Sequence, residues 1–353
     1  MAGNSRSGLD AATLLPGLAA ALALGLAGRL ASGNITIRGT HPVSEVILAI
    51  LLGLAVNAAF PGLRKKLGPG ASFAVKRLLR LGIILLGLGL SLRAVVQAGS
   101  GALLVIVVTV AAALAVTRAL GRVLGVRDKL ATLIAVGTGI CGASAIVAAA
   151  PAIDAGDEDV SYSIAVITVF GVLAIFAYPL IGTALALSDG QFGAWAGVAV
   201  HETAQVVAAG FAFSETAGRI ATVVKLTRTA LLAPLVLVLG IMHAAGRKRD
   251  ARVDYRAMFP WFIAGFLALA VLRTLGDAAL PGAGGAVAAA WTALKHWTNY
   301  GAKLLVVTAM AAVGLSTSFA AFRRTGPVPL AVGMAASVLV GLLSLVLILA
   351  IQM

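Results

Sequence analysis

Apolar stretches of about 20 residues recur from Ala11 to Ile351, parted only by short polar segments. A stretch of that length crosses a hydrocarbon core roughly 30 Å thick as an α-helix. Lipid offers the backbone no hydrogen bonds, so a spanning segment must satisfy its own amides. The chain is therefore expected to be an all-α polytopic membrane protein in the lipid bilayer. Charged residues are only 11% of 353 positions, and no polar stretch is long enough for a soluble domain. Residues 1–353 read as one integral membrane domain. A net charge of +14 would suggest nucleic acid in a soluble chain. Here the basic residues lie between apolar runs, where they orient membrane proteins, and no nucleic acid is expected.

About eleven spans are expected, near 11–30, 43–60, 77–97, 101–120, 130–151, 160–185, 191–211, 217–244, 257–276, 296–321 and 327–351. Pro61-Gly62, Gly68-Pro69-Gly70 and Pro281-Gly282 punctuate them. The first run has only Arg6 before it and no small-residue cleavage site, so it reads as a retained extra helix. Basic residues cluster at Arg64–Lys66 with Lys76, Arg77 and Arg80, at Arg122–Lys129, at Arg247–Arg256 and at Arg323-Arg324. Under an eleven-span count all four fall on one side, with the acidic Asp154, Asp157, Glu158 and Asp159 opposite. The positive-inside rule then places the N-terminus in the cytoplasm. The single cysteine, Cys141, excludes a disulfide within one chain.

Three polar segments lie inside the apolar runs. The first is Gly137-Thr138-Gly139-Ile140-Cys141-Gly142-Ala143-Ser144. Its three glycines weaken a helix by roughly 1 kcal/mol each relative to Ala. A helix broken there at mid-membrane would offer free amides to an anion through Thr138, Gly139, Cys141, Gly142 and Ser144. The second is His201-Glu202-Thr203-Ala204-Gln205, where His201 and Gln205 share a helix face. Gln205 stands where a zinc H-E-x-x-H motif needs its second histidine, so no metal is expected. His201, Glu202 and Gln205 are instead candidates for carrying a coupling proton or Na+. The third is Lys225-Leu226-Thr227-Arg228, with two cations three residues apart, too deep to snorkel easily. Glu202 is the natural counter-charge, and one cation left over could hold an anionic substrate. Glu45 and Asn57 are weaker pointers.

Ala135-Val136-Gly137 resembles Ala312-Val313-Gly314, which is followed by Ser316, Thr317 and Ser318. Gly89-Leu90-Ser91 is a competing match to Gly314-Leu315-Ser316, but the first two segments lie five spans apart. That predicts an inverted repeat of five plus five helices, 43–185 and 191–351, with a second break at Gly314, Ser316, Thr317 and Ser318.

The three polar segments, in this order and spacing, resemble the YeiH-like family of bacterial inner-membrane proteins, often labelled sulfate exporters. Gly137 to Ile146, His201 to Gly210 and Val224 to Arg228 carry the likeness. The resemblance implies a multi-pass protein of the bacterial plasma membrane, related in fold to inverted-repeat cation–proton antiporters and bile-acid symporters. The expected function is a secondary transporter exporting a small anion, coupled to a proton or Na+. A channel, an intramembrane enzyme and a cation–proton antiporter remain as alternatives. The loops are too short for a soluble catalytic domain, so an enzyme is not expected, nor is a cofactor.

Overall fold

The computed structural model describes residues 11–34, 44–244, 261–280, 285–317 and 326–351, and these are helical with short turns between. The basic segment 247–256, Arg323, Arg324, His41, Pro281-Gly282 and Ser318 lie outside the described residues. Among the described residues, seven helices are long and apolar enough to cross a membrane. An eighth span is possible if a pair bent by 101° counts as one. The chain divides into two compact units, 1–89 with 266–317 and 90–265 with 318–353.

The first unit holds α1 (Ala11–Asn34), α2 (Glu45–Ala59), α3 (Arg64–Phe73) and α4 (Leu79–Leu86). It also holds α13 (Trp261–Ala279) from Phe266 onward and α14 (Gly285–Ser316). Gly68-Pro69-Gly70, expected as a loop, lies within α3. The reason is packing. A Cβ on Gly70 would lie 2.1 Å from Leu14 O on α1, and one on Gly17 would lie 2.1 Å from Leu67 O. Bare backbones meet there, as small residues allow in membranes.

Gly53 and Gly314 form the same kind of crossing between α2 and α14, where each added Cβ would lie 2.3 Å from a carbonyl oxygen of the other helix. The second break expected at Gly314 and Ser316 is absent, because α14 stays helical through Ser316. Thr317 follows the helix end, and its carbonyl accepts from Asn57 Nδ2 at 2.5 Å. Glu45 sits in the first turn of α2, 3.6 Å from Arg29.

The second unit is built from α5 (Leu92–Val123), α6 (Asp128–Gly139), α7 (Ala143–Ala149), α8 (Asp157–Ala184) and α9 (Asp189–Ala199). It continues with α10 (Thr203–Phe213), α11 (Glu215–Ala230), α12 (Leu232–Ala244) and α15 (Pro327–Ala350).

The stretch 130–151, expected as a span, does not cross. Arg127, just before α6, meets Glu158 at 3.1 Å and Asp159 at 2.9 Å, while Lys129 meets Asp154 at 3.7 Å. Both ends of the α6–α7 pair thus lie together at the N-terminal end of α8. The stretch 191–211 folds back in the same way from the other end. Phe192 of α9 and Phe213 of α10 stack with ring centroids 4.0 Å apart, and a Cβ on Gly182, near the C-terminal end of α8, would touch both rings. Two helical hairpins therefore enter the unit from opposite ends of α8. At 1.5 Å per residue their inbound arms reach about 18 and 16 Å, which together match a core roughly 30 Å thick.

This geometry corrects two expectations. Two of the eleven stretches are hairpins too short to cross, which lowers the span count. The acidic segment at 154–159 lies on the same side as Arg127 and Lys129, not opposite them. Its carboxylates pair with those cations across the hairpin mouth.

Candidate functional site

The two hairpin tips meet beside α11. At the first tip, α6 ends where Ile140 leaves helical geometry at φ −119°, ψ −91°, and Gly142, just before α7, adopts φ +74°, which favours glycine. A Cβ there would also lie 2.4 Å from Glu202 Cγ. Gly139, expected to be equally special, is the last residue of α6, has no positive φ and meets nothing closer than 3.8 Å. At the second tip, Val200 and Glu202 are extended, at ψ 142° and 149°.

A helix end leaves carbonyls without partners, and in a membrane each must find one. Two at the first tip are satisfied locally. Val136 O accepts from Ile140 N at 2.9 Å, and Gly137 O from Gly142 N at 3.0 Å. The next three, Thr138, Gly139 and Ile140, are taken by side chains of α11. Lys225 Nζ donates to Ile140 O at 2.8 Å, to Val200 O at 3.0 Å and to His201 O. Arg228 donates through Nε to Gly139 O, through Nη2 to Thr138 O, and through Nη1 to Val198 O and, at 3.2 Å, to Val200 O. Both cations are buried, at 0% and 1% exposure. Three carbonyls of each tip are thus held by two cations one turn apart. The sign suits them, because both inbound helices bring their negative C-terminal dipole ends to this point.

Glu202 makes no direct ion pair with either cation, although it lies near enough to Lys225 for their charges to interact. It precedes α10 and accepts from Ala143 N, at the start of α7, at 3.4 Å. Gln205 Oε1 accepts from Glu202 N at 3.1 Å and lies so close to Gly171 that a Cβ there would overlap it. The carboxylate thus stands at the positive N-terminal ends of the two outbound helices. Glu202 is half-buried and Ser144 is exposed, so this face of the junction is open. Cys141 Sγ and Ser144 Oγ lie 3.0 Å apart, and Ser144 Oγ is 3.2 Å from Cys141 O.

His201 is buried. Its Nε2 lies 2.9 Å from Ser337 Oγ on α15, and Ser337 donates to Gly333 O at 2.7 Å. His201 Nδ1 and Thr138 Oγ1 are buried with no partner. Among the described residues no group of three His, Cys, Asp or Glu could hold a metal.

The structure thus brings Thr138, Gly139, Cys141, Gly142, Ser144, His201, Glu202, Gln205, Lys225 and Arg228 to one junction. Gly314, Ser316 and Thr317 are in the other unit. Sequence reasoning missed Ser337, which has the look of an ordinary helix serine. It also missed Asp277, which accepts from Trp291 Nε1 at 2.8 Å, from Lys295 Nζ at 2.8 Å and from Arg273. An acid within the apolar run at 257–276 and its margin was the available signal.

Fold and site define a polytopic helical membrane protein with two opposed helical hairpins. The chain belongs to the family described as conserved hypothetical protein 698, whose model matches residues 16–333. This is the YeiH-like family that the motifs resembled. A UPF0324 membrane protein of Agrobacterium fabrum is 36% identical over 342 residues, covering 96% of this chain and 94% of its own. One from Clostridium tetani is 34% identical over 314 residues, at 84% and 87% coverage. One from Oceanobacillus iheyensis is 37% identical over 287 residues, at 80% and 81%. No solved structure matches the chain.

Proposed function

We propose that this chain is a secondary transporter for a small anion, coupled to a proton on Glu202, and that it works in the bacterial inner membrane. The observation that carries the reading is the meeting of two opposed hairpin tips on Lys225 and Arg228. Interrupted helices ending at mid-membrane are where secondary transporters build their sites, because only a cavity-lining segment tolerates irregular backbone there. The hairpin with its following helix, 128–184 and then 189–244, forms the inverted pair in this reading.

The division of labour differs from the sequence expectation. Lys225 and Arg228 spend their donors on carbonyls, so they set the field rather than grip a substrate. Two cations against one carboxylate still favour an anion at the open face formed by Ser144 and Glu202. The tip carbonyls are engaged by the two cations, so we assign the coupling proton to Glu202 at the open face, with Na+ as the alternative ion. Basic segments orient the chain with the N-terminus and the mouth of the first hairpin in the cytoplasm.

Counterflow in proteoliposomes tests this. Labelled sulfate and small mono- and dicarboxylates should show saturable exchange for at least one anion, stimulated by a pH gradient. Glu202→Gln should keep exchange and lose the gradient dependence. No exchange for any anion, or linear uptake without saturation, would refute a carrier.

A further inference from the structure

We infer that a groove between α5 and α12 holds one acyl chain of an anionic phospholipid, with its phosphate on Arg118 and Arg122. The groove has a volume of about 330 Å³ and lies wholly within the second unit. Ala111, Ala115 and Ala119, spaced by four, form its floor on α5. Leu235, Leu239 and Met242 of α12 form the facing wall. Alanine leaves room there, and the larger Leu114, Leu235 and Met242 flank it.

The groove is apolar along its length and basic at one end. From residue 111 to 122 it rises about 16 Å along α5, which is the depth of one leaflet of a core roughly 30 Å thick. The basic end is therefore at headgroup level when the apolar end is at mid-membrane. There Asp128 is shared by two guanidinium groups, at 2.9 Å from Arg118 and 3.5 Å from Arg122. One carboxylate between two cations leaves a positive charge over. Arg122 is 68% exposed and has donors free to meet a phosphate. Basic pockets between helices at the membrane surface recognise anionic lipid headgroups in this way.

Native mass spectrometry of the purified protein tests the site, with phosphatidylglycerol and phosphatidylcholine as probes. The wild type should retain phosphatidylglycerol in preference. Arg122→Gln, on an exposed side chain, should weaken that lipid about fivefold and leave phosphatidylcholine unchanged. Ala115→Phe fills the floor and should weaken both lipids. Soluble glycerol 3-phosphate should not bind. Equal retention of phosphatidylglycerol by the wild type and Arg122→Gln would overturn the proposal. So would binding of glycerol 3-phosphate as tight as that of the lipid. A change of oligomeric state in Ala115→Phe would make the groove a contact between copies instead.

Discussion

Lys225 Nζ and Arg228 Nη1 both donate to the carbonyl oxygen of Val200, at 3.0 and 3.2 Å. Two like charges one turn apart on a helix repel. Here they are stable neighbours because the carbonyls between and around them supply the negative end of every interaction. The pair is the point where the two hairpins are fastened to α11.

Removing either cation should therefore destabilise the second unit. A buried carbonyl left without a donor costs roughly 1–3 kcal/mol. Lys225→Met strips Ile140 and His201 of their side-chain donor, whereas Val200 keeps Arg228. Arg228→Met strips Thr138, Gly139 and Val198, so it should lower the melting temperature further. A melting temperature equal to the wild type in both variants would show that the clamp does not hold the tips.

The two glycines of the first tip should respond differently. Gly142→Ala forces a side chain into a backbone region at φ +74°, ψ −135° that is essentially open only to glycine, at roughly 1–3 kcal/mol, and against Glu202 Cγ at 2.4 Å. Gly139→Ala meets only ordinary contacts at 3.8 Å and should be tolerated. Thermal melts and counterflow of both variants check this. Equal sensitivity would place the break elsewhere.

The hairpin makes a topological claim that a through-going helix does not. Arg127→Cys and Glu158→Cys, in a Cys141→Ala background, should be joined by a bifunctional thiol cross-linker about as long as the two side chains they replace, because the ends of Arg127 and Glu158 meet at 3.1 Å. A span across the membrane would hold the two apart by its full thickness. No cross-link, with each cysteine labelled from a different face, would restore the crossing.

In the first unit, Gly314→Leu should disrupt the packing of α14 on α2, since even a Cβ lies 2.3 Å from Ile50 O. Expression and melting temperature should fall, while an inserted second unit keeps the Arg127–Glu158 cross-link. A Gly314→Leu protein with wild-type stability would contradict that crossing.

Much of this was legible in the chain. Long apolar runs gave the helices. Glycines beside hydroxyls marked the first tip, and Lys225 with Arg228 marked the core of the site. The hairpins were not legible, because their arms are buried by other helices. From Leu130 to Gly139 every residue is buried, so the stretch is as apolar as one facing lipid. Only the contacts of its ends, Arg127 with Glu158 and Lys129 with Asp154, tell a return from a crossing. The true partners of the two cations were hidden for another reason. Backbone carbonyls leave no trace in residue identity, so Glu202 was the only visible counter-charge. The Gly314 match misled because glycine serves close helix packing as well as broken helices.

Labelling of Ser144→Cys, in a Cys141→Ala background, with a membrane-impermeant thiol reagent probes the junction most directly. Ser144 is exposed beside Glu202 at the tips, and alternating access must turn that face to each side in turn. Right-side-out and inverted vesicles should both be labelled, and a transported anion should slow labelling from both sides. Labelling from one face only, or from neither, would make the junction a fixed structural core and contradict its role as a transport site.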